Sequence, residues 1–135
     1  MAVAVTNFLG SPNPDVIRPI EEGALPPSEG RPDLLVLDEP TAALDHGNQT
    51  RVLQLLTDLS RRGFGIISTT HNPNHAILLG GSAGVLTRTG RFHTGPVGEV
   101  IREDLLSRVY ETDLRVVYVE QLGRAVCETP AMTNP

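Results

Sequence analysis

The 135-residue sequence contains no lysine and only one cysteine, and each shortage excludes a class of site. All eleven basic residues are arginine. The usual phosphate-binding loop, G-x-x-x-x-G-K-[ST], needs a lysine beside its backbone N–H groups, so this sequence cannot contain that loop in its usual form. The single Cys127 allows no internal disulfide, and a reducing compartment fits it best.

Positive charge and long apolar stretches are also scarce. The net charge is −5 and no basic run occurs, which disfavours a nucleic-acid partner. No apolar run approaches the ~20 residues of a membrane helix, so we expect no direct membrane insertion. The opening stretch "MAVAVTNFLG" lacks the basic segment of a secretory signal. These features predict a soluble chain.

The prolines divide the sequence into unequal parts. Six of the eleven precede Asp33, and helices and central strands reject proline at that density. We therefore predict an irregular leader over residues 1–32, with a short strand near Ala2–Thr6. A domain over 33–127 and a flexible tail over 128–135 are expected to follow.

Within the predicted domain, strand and helix patterns alternate. Leu34–Leu37 is a continuous aliphatic run, typical of a strand buried on both faces of a sheet, and Phe64–Thr69 predicts a second strand. Helices are predicted over 48–62 and 73–79, followed by a hairpin, a helix and a C-terminal hairpin. The order predicts an α/β fold of mainly parallel strands with a right-handed crossover. The residues expected on the inner face of the first helix are Val52, Leu55, Leu56 and Leu59.

Polar residues follow both predicted strands. Asp38 and Glu39 end the first, and His71 follows the second. The carboxyl ends of parallel strands share one edge, where ligands bind. Asp38 can hold Mg²⁺, directly or through water. Glu39 can act as a general base toward an attacking water, which raises the reaction rate about 10²–10⁴-fold. His71 can donate a hydrogen bond to a phosphate oxygen. Together these are parts that phosphoryl transfer uses.

Two motifs resemble a known family. "LLVLDEPTAALD" resembles the Walker B and D-loop segment of ATP-binding-cassette (ABC) ATPases, and "STTHNPNHA" resembles their H-switch. The resemblance runs from about Pro32 to about Tyr110, with the motifs in the family's order and spacing. It implies a partial P-loop NTPase-like core with flanking helices and C-terminal hairpins.

The resemblance also implies roles for individual residues. Asp38 would lie near Mg²⁺, Glu39 would be the catalytic glutamate, Asp45 would reach across a head-to-tail dimer, and His71 would contact the γ-phosphate of ATP. The implied partners are transmembrane permease subunits and a second ATPase subunit, at the cytoplasmic face of the cell membrane. "THNPNHA" and "DLLSRVYETD" resemble importer ATPases for iron chelates, cobalamin and related metal compounds.

Other family motifs are absent. "ALPPSEGRPD" stands where the signature L-S-G-G-Q is expected, and neither a Q-loop glutamine nor an adenine-stacking aromatic has a candidate. The resemblance is therefore to the C-terminal half of an ABC ATPase subunit behind an unrelated leader, from a truncated or frameshifted gene, a misplaced start codon or a split protein. We expect the chain alone to bind MgATP weakly or not at all and to be inactive. The alternative is a non-catalytic remnant or a regulatory and dimerisation module.

Alternative roles for several individual residues stay open. Asp45 could simply cap the following helix. His71 and His75 have the spacing of a zinc helix, but no third ligand is evident; His75 is expected on the surface. Ser68 or Ser82 could serve a hydrolase together with His71, although no G-x-S-x-G context is present.

Overall fold

The computed structural model describes residues Val5–Leu9 and 34–132, and these form seven strands and four helices. The strands are β1 Val5–Leu9, β2 Leu34–Asp38, β3 Gly65–Thr70, β4 Ser82–Leu86, β5 Phe92–Pro96, β6 Arg115–Val119 and β7 Arg124–Glu128. The helices are α1 His46–Arg61, α2 Pro73–Leu79, α3 Val97–Val100 and α4 Glu103–Tyr110.

The first strand overlaps the strand predicted near Ala2–Thr6 but begins and ends later, at Val5–Leu9. The remaining predictions for the leader, and those for residues 133–135, lie outside the described residues. At the other end, β7 includes Glu128, one position beyond the predicted domain boundary.

Five strands form one sheet in the order β2-β3-β1-β4-β5, and β6 pairs with β7 separately. The predicted α/β fold with parallel strands and C-terminal antiparallel hairpins is confirmed. The sheet is mixed, however: β2 and β3 are parallel, whereas β1 runs antiparallel to both β3 and β4. The sequence could not indicate this because the insertion of β1 between β3 and β4 is a long-range pairing.

The expected burial of β2 on both faces is wrong, because one face of the strand is exposed. Val36 is 69% exposed, while Leu35 and Leu37 pack beside the buried Leu56, Phe64 and Ile66. A continuous aliphatic run is compatible with a strand that is covered on only one face, because the sequence of the run does not show what packs against either face.

Helix α1 covers this core, and its buried face differs slightly from the predicted one. Leu53 and Leu56 are buried, whereas Leu55 is 55% exposed. A second core lies toward the C-terminus, where α4 buries three apolar residues against β4 and β7. Its largest cluster comprises Ala76, Ala83, Val85, Val97, Val100, Ile101, Leu105, Leu106, Val109 and Cys127.

The helix predicted after the hairpin is split into α3 and α4. Arg102 is extended, with φ −134° and ψ 156°, and interrupts the helix between them. Among the described residues no helix is both long enough and apolar enough to cross a bilayer.

Candidate active site at the ends of two parallel strands

The ends of β2 and β3 are level, and Thr69 joins them. The parallel register pairs Asp38 with Thr69. The Thr69 hydroxyl donates to Oδ1 of Asp38, and the Glu39 N–H donates to the Thr69 carbonyl at 3.2 Å and to its hydroxyl oxygen at 3.0 Å. One threonine thus fixes the Asp38 carboxylate and the backbone of Glu39.

The chain turns sharply at Glu39, and this turn brings the acid to His71. Glu39 has φ +45°, in the left-handed region that a residue with a side chain seldom adopts. Its Oε1 lies 3.0 Å from Nε2 of His71, and both side chains are about two-fifths exposed. The predicted convergence of Asp38, Glu39 and His71 on one edge of the sheet is therefore present, and the pair can meet a ligand from solvent.

Asp45 serves as the N-cap of α1. Its Oδ1 accepts the N–H of Asn48 at 2.8 Å, and its Oδ2 accepts the side-chain amide of the same asparagine at 3.3 Å. Its side chain is exposed. The capping role is observed, and a contact across a dimer stays a prediction.

His75 is buried, contrary to the expectation of a surface position. It is 8% exposed, and its Nδ1 lies 3.2 Å from the hydroxyl oxygen of Thr41. Burial, together with the nearby His46, lowers the pKa of His75. The helical period did not reveal this contact because Thr41 belongs to the turn after β2, far away in the sequence.

A cleft of about 500 Å³ extends from this edge of the sheet to the end of strand β7. Glu39 and His71 lie on its wall, together with residues of α2, α4 and β7. The hydroxyl of Tyr110 donates to the backbone carbonyl of His71 at 2.9 Å, and Asn74 bonds the backbone of Cys127. Sequence reasoning missed both residues, and no local pattern marks such long-range contacts.

The donor set fits Mg²⁺ better than zinc. Among the described residues no group of three His, Cys, Asp or Glu side chains is placed to hold a metal, and the His71 and His75 rings bond different partners. Asp38 offers a carboxylate at an exposed strand end, and Mg²⁺ accepts one carboxylate while keeping several waters. Ser68 is 1% exposed, which removes it as a nucleophile for an outside substrate.

Comparison with known proteins relates the chain to one class of ATPase. A family model described as an AAA domain, whose description also names the AbiEii toxin of a type IV toxin–antitoxin system, matches residues 21–75. A solved structure, described as an inward-facing conformation of a metal-chelate type ABC transporter, superimposes with a TM-score of 0.62. It is 26% identical and covers 73% of this chain and 41% of that chain.

The chain resembles part of an ABC transporter ATP-binding subunit. An ABC transporter ATP-binding protein of Haemophilus influenzae is 34% identical over 85 residues, which is 63% of this chain and 32% of the relative. The iron(3+)-hydroxamate import ATP-binding protein of Bacillus subtilis is 34% identical over 98 residues, 72% of this chain and 36% of the relative. The hemin import ATP-binding protein of Nocardia farcinica is 39% identical over 83 residues, which is 62% of this chain and 29% of the relative.

The fold accordingly resembles part of the P-loop NTPase core of an ABC transporter ATPase. The chain spans about a third of the length of these curated ABC relatives. The stretch matched by the family model, residues 21–75, contains the strand ends that carry the acid pair and His71.

Proposed function

We propose that this chain supplies the hydrolytic edge of an ABC transporter ATPase. The observation that carries the proposal is the 3.0 Å contact between Glu39 and His71, beside Asp38 at the end of a parallel strand. Metal ligand, base and polar stabiliser are the parts of a phosphoryl-transfer site, and they occupy one exposed edge.

Each residue takes a distinct role in this proposal. Asp38 holds Mg²⁺, directly or through water, while Thr69 keeps its carboxylate fixed. Glu39 accepts a proton from the attacking water, and its left-handed turn brings the carboxylate to His71. Nε2 of His71 orients Glu39 through their contact. A hydrogen bond toward the terminal phosphate would come from the other ring nitrogen, Nδ1, when that nitrogen carries the proton. When bound, Mg²⁺ neutralises charge on the phosphates of ATP.

The phosphates of ATP have no evident cradle in this sequence. There is no lysine for the usual loop, and Asp38 and Glu39 repel the phosphate charge. We therefore propose that these residues alone bind MgATP poorly and do not turn it over. Hydrolysis would require a phosphate-binding loop supplied by another segment or another chain.

The resemblance to ABC importer ATPases supports a proposal for the partners. An assembled protein of this kind would form a head-to-tail dimer in which Asp45 reaches the partner, and it would act on transmembrane permease subunits from the cytoplasmic side. The relatives named for hemin and iron(3+)-hydroxamate import favour a metal chelate as cargo.

The absence of lysine favours a second candidate, a non-catalytic or regulatory module that keeps the dimer surface without turnover. The retained Glu39–His71 contact favours the hydrolytic role, because a remnant free of catalytic constraint has no need of it.

A completed chain distinguishes the two candidates. The phosphate-binding segment of the Bacillus subtilis relative, placed ahead of Asp33, should restore Mg²⁺-dependent ATP hydrolysis. His71→Ala should then lower turnover by about 10²-fold or more. His93→Ala, in the β4–β5 hairpin, is the matched control and should change little. Equal rates in both variants would reject the role of His71, and a completed chain that binds MgATP without hydrolysis would favour the regulatory module.

A further inference from the structure

The loop that carries His71 is bonded to the C-terminal segment at two points that the hydrolytic roles do not use. From α4, the Tyr110 hydroxyl donates to the backbone carbonyl of His71 at 2.9 Å. From α2, the Asn74 side chain reaches β7: its Nδ2 donates to the Cys127 carbonyl at 2.8 Å, and its Oδ1 accepts the Cys127 N–H at 2.8 Å.

The contact of Asn74 is specific in both directions. Its side-chain amide bonds both the N–H and the carbonyl of Cys127, as a neighbouring strand would. Its Nδ2 also lies 3.1 Å from Oε1 of Glu128. Only a side chain with an acceptor and a donor on one planar group can do this. The start of α2, directly after His71, is thereby fixed relative to β7.

Tyr110 is anchored on a rigid helix. The neighbouring Leu105, Leu106 and Val109 are all buried in the C-terminal core. Burial, with a smaller contribution from Cys127, raises the pKa of Tyr110 to about 12. The hydroxyl therefore stays protonated at physiological pH and remains a donor to the carbonyl of His71.

We propose that Tyr110 and Asn74 are positioning residues that hold the His71 loop so that its ring meets Glu39. The C-terminal segment from α4 to β7 then sets the geometry of the hydrolytic edge. This inference rests on the proposed function, because it gives the two residues a role only where His71 serves hydrolysis.

Because the His71 loop borders an open cleft, hydrogen bonds rather than tight side-chain packing hold it in place. Tyr110 and Asn74 both line its space of about 500 Å³, and so do Glu39 and His71. Removing one hydroxyl beside open space leaves the neighbouring core intact, so a conservative variant should alter the loop without unfolding the domain.

The test uses the ring signals of the histidines in the NMR spectrum of the chain as it stands. Only four histidines occur, so the His71 signal can be assigned by substitution. Tyr110→Phe removes the hydroxyl and keeps the ring. Tyr118→Phe is the matched control, since Tyr118 is the other tyrosine of the sequence and is 69% exposed on β6. Glu39→Gln reports whether the ring senses Glu39 at all.

We expect Glu39→Gln and Tyr110→Phe both to move the His71 signal and Tyr118→Phe to leave it in place. A signal that moves in Glu39→Gln but stays fixed in Tyr110→Phe would overturn the positioning role of Tyr110 and leave the proposed site standing. A signal that ignores Glu39→Gln would mean that the contact itself is absent, and the proposed function would fail first.

Hydrogen exchange followed by mass spectrometry provides a second measurement at low protein concentration. Asn74→Asp keeps the acceptor, loses the donor and sets a charge against Glu128. It should speed exchange in peptides covering Asn72–His75 about fivefold, the factor that matches one hydrogen bond of about 1 kcal/mol. Gln54→Glu, which makes the same amide-to-carboxylate change at an exposed position of α1, is the control. Equal exchange in both variants would overturn the role of Asn74.

Discussion

Nε2 of His71 lies 3.0 Å from Oε1 of Glu39, across the ends of two parallel strands. The contact depends on level strand ends, on the left-handed turn at Glu39 and on the loop that follows β3. It places an imidazole and a carboxylate where both face solvent, beside a second carboxylate, Asp38.

The isolated chain should not bind MgATP with micromolar affinity. Its sequence has no lysine, and the acid pair repels phosphate charge. Isothermal titration of the purified chain with MgATP measures this directly. A micromolar dissociation constant would mean that another group, such as an arginine, forms a phosphate cradle.

Thr69→Val should loosen the acid pair. The substitution removes the hydroxyl that donates to Asp38 and that accepts the Glu39 N–H. We expect a loss of about 1 kcal/mol in unfolding free energy, measured by urea denaturation. Thr94→Val, on β5 and without a hydrogen bond of its hydroxyl among the described contacts, is the control. A loss of the same size in Thr94→Val would show that the effect does not come from the Asp38 contact.

His75 should make the chain sensitive to mild acid. Burial lowers its pKa, so the folded state keeps the ring neutral, whereas the unfolded ring takes up a proton near pH ~6.5. The unfolded state therefore binds more protons below about that pH. Stability should be present above it and lost as the pH falls toward the lowered folded value.

Chemical denaturation at a series of pH values tests this. His75→Gln should lose less stability than the unmodified chain between about pH 7 and pH 5, and His93→Gln should behave like the unmodified chain. Parallel pH curves for His75→Gln and the unmodified chain would contradict the assignment.

Val36 should promote self-association. It is 69% exposed on β2, at the edge of the described sheet, and exposed apolar edge strands pair with other chains. Val36→Lys should reduce aggregation, measured by light scattering, without lowering the melting temperature. Leu55→Lys, which replaces a half-exposed leucine on helix α1 rather than on a sheet edge, should give less improvement. Equal improvement in both would attribute the effect to charge alone.

The sequence predicted the local features of the site and few of its long-range ones. Asp38, Glu39 and His71 were found because each follows an apolar strand, and strand ends can be read from local pattern. The N-cap role of Asp45 follows from an equally local rule and is present.

The long-range partners could not be predicted in this way. The bonds of Thr41 to His75, Tyr110 to His71 and Asn74 to Cys127 join residues whose proximity depends on the assembled sheet. The exposure of Val36 and Leu55 has the same origin, since burial depends on what packs against a face. An aliphatic run alone does not specify its neighbours.

The catalytic assignment of Glu39 is the centre of this account, and one variant of the completed chain tests it most directly. Glu39→Gln keeps the size of the side chain and removes the base. ATP turnover should fall by about 10²–10⁴-fold while MgATP binding is retained. Turnover that persists unchanged in Glu39→Gln would contradict the account.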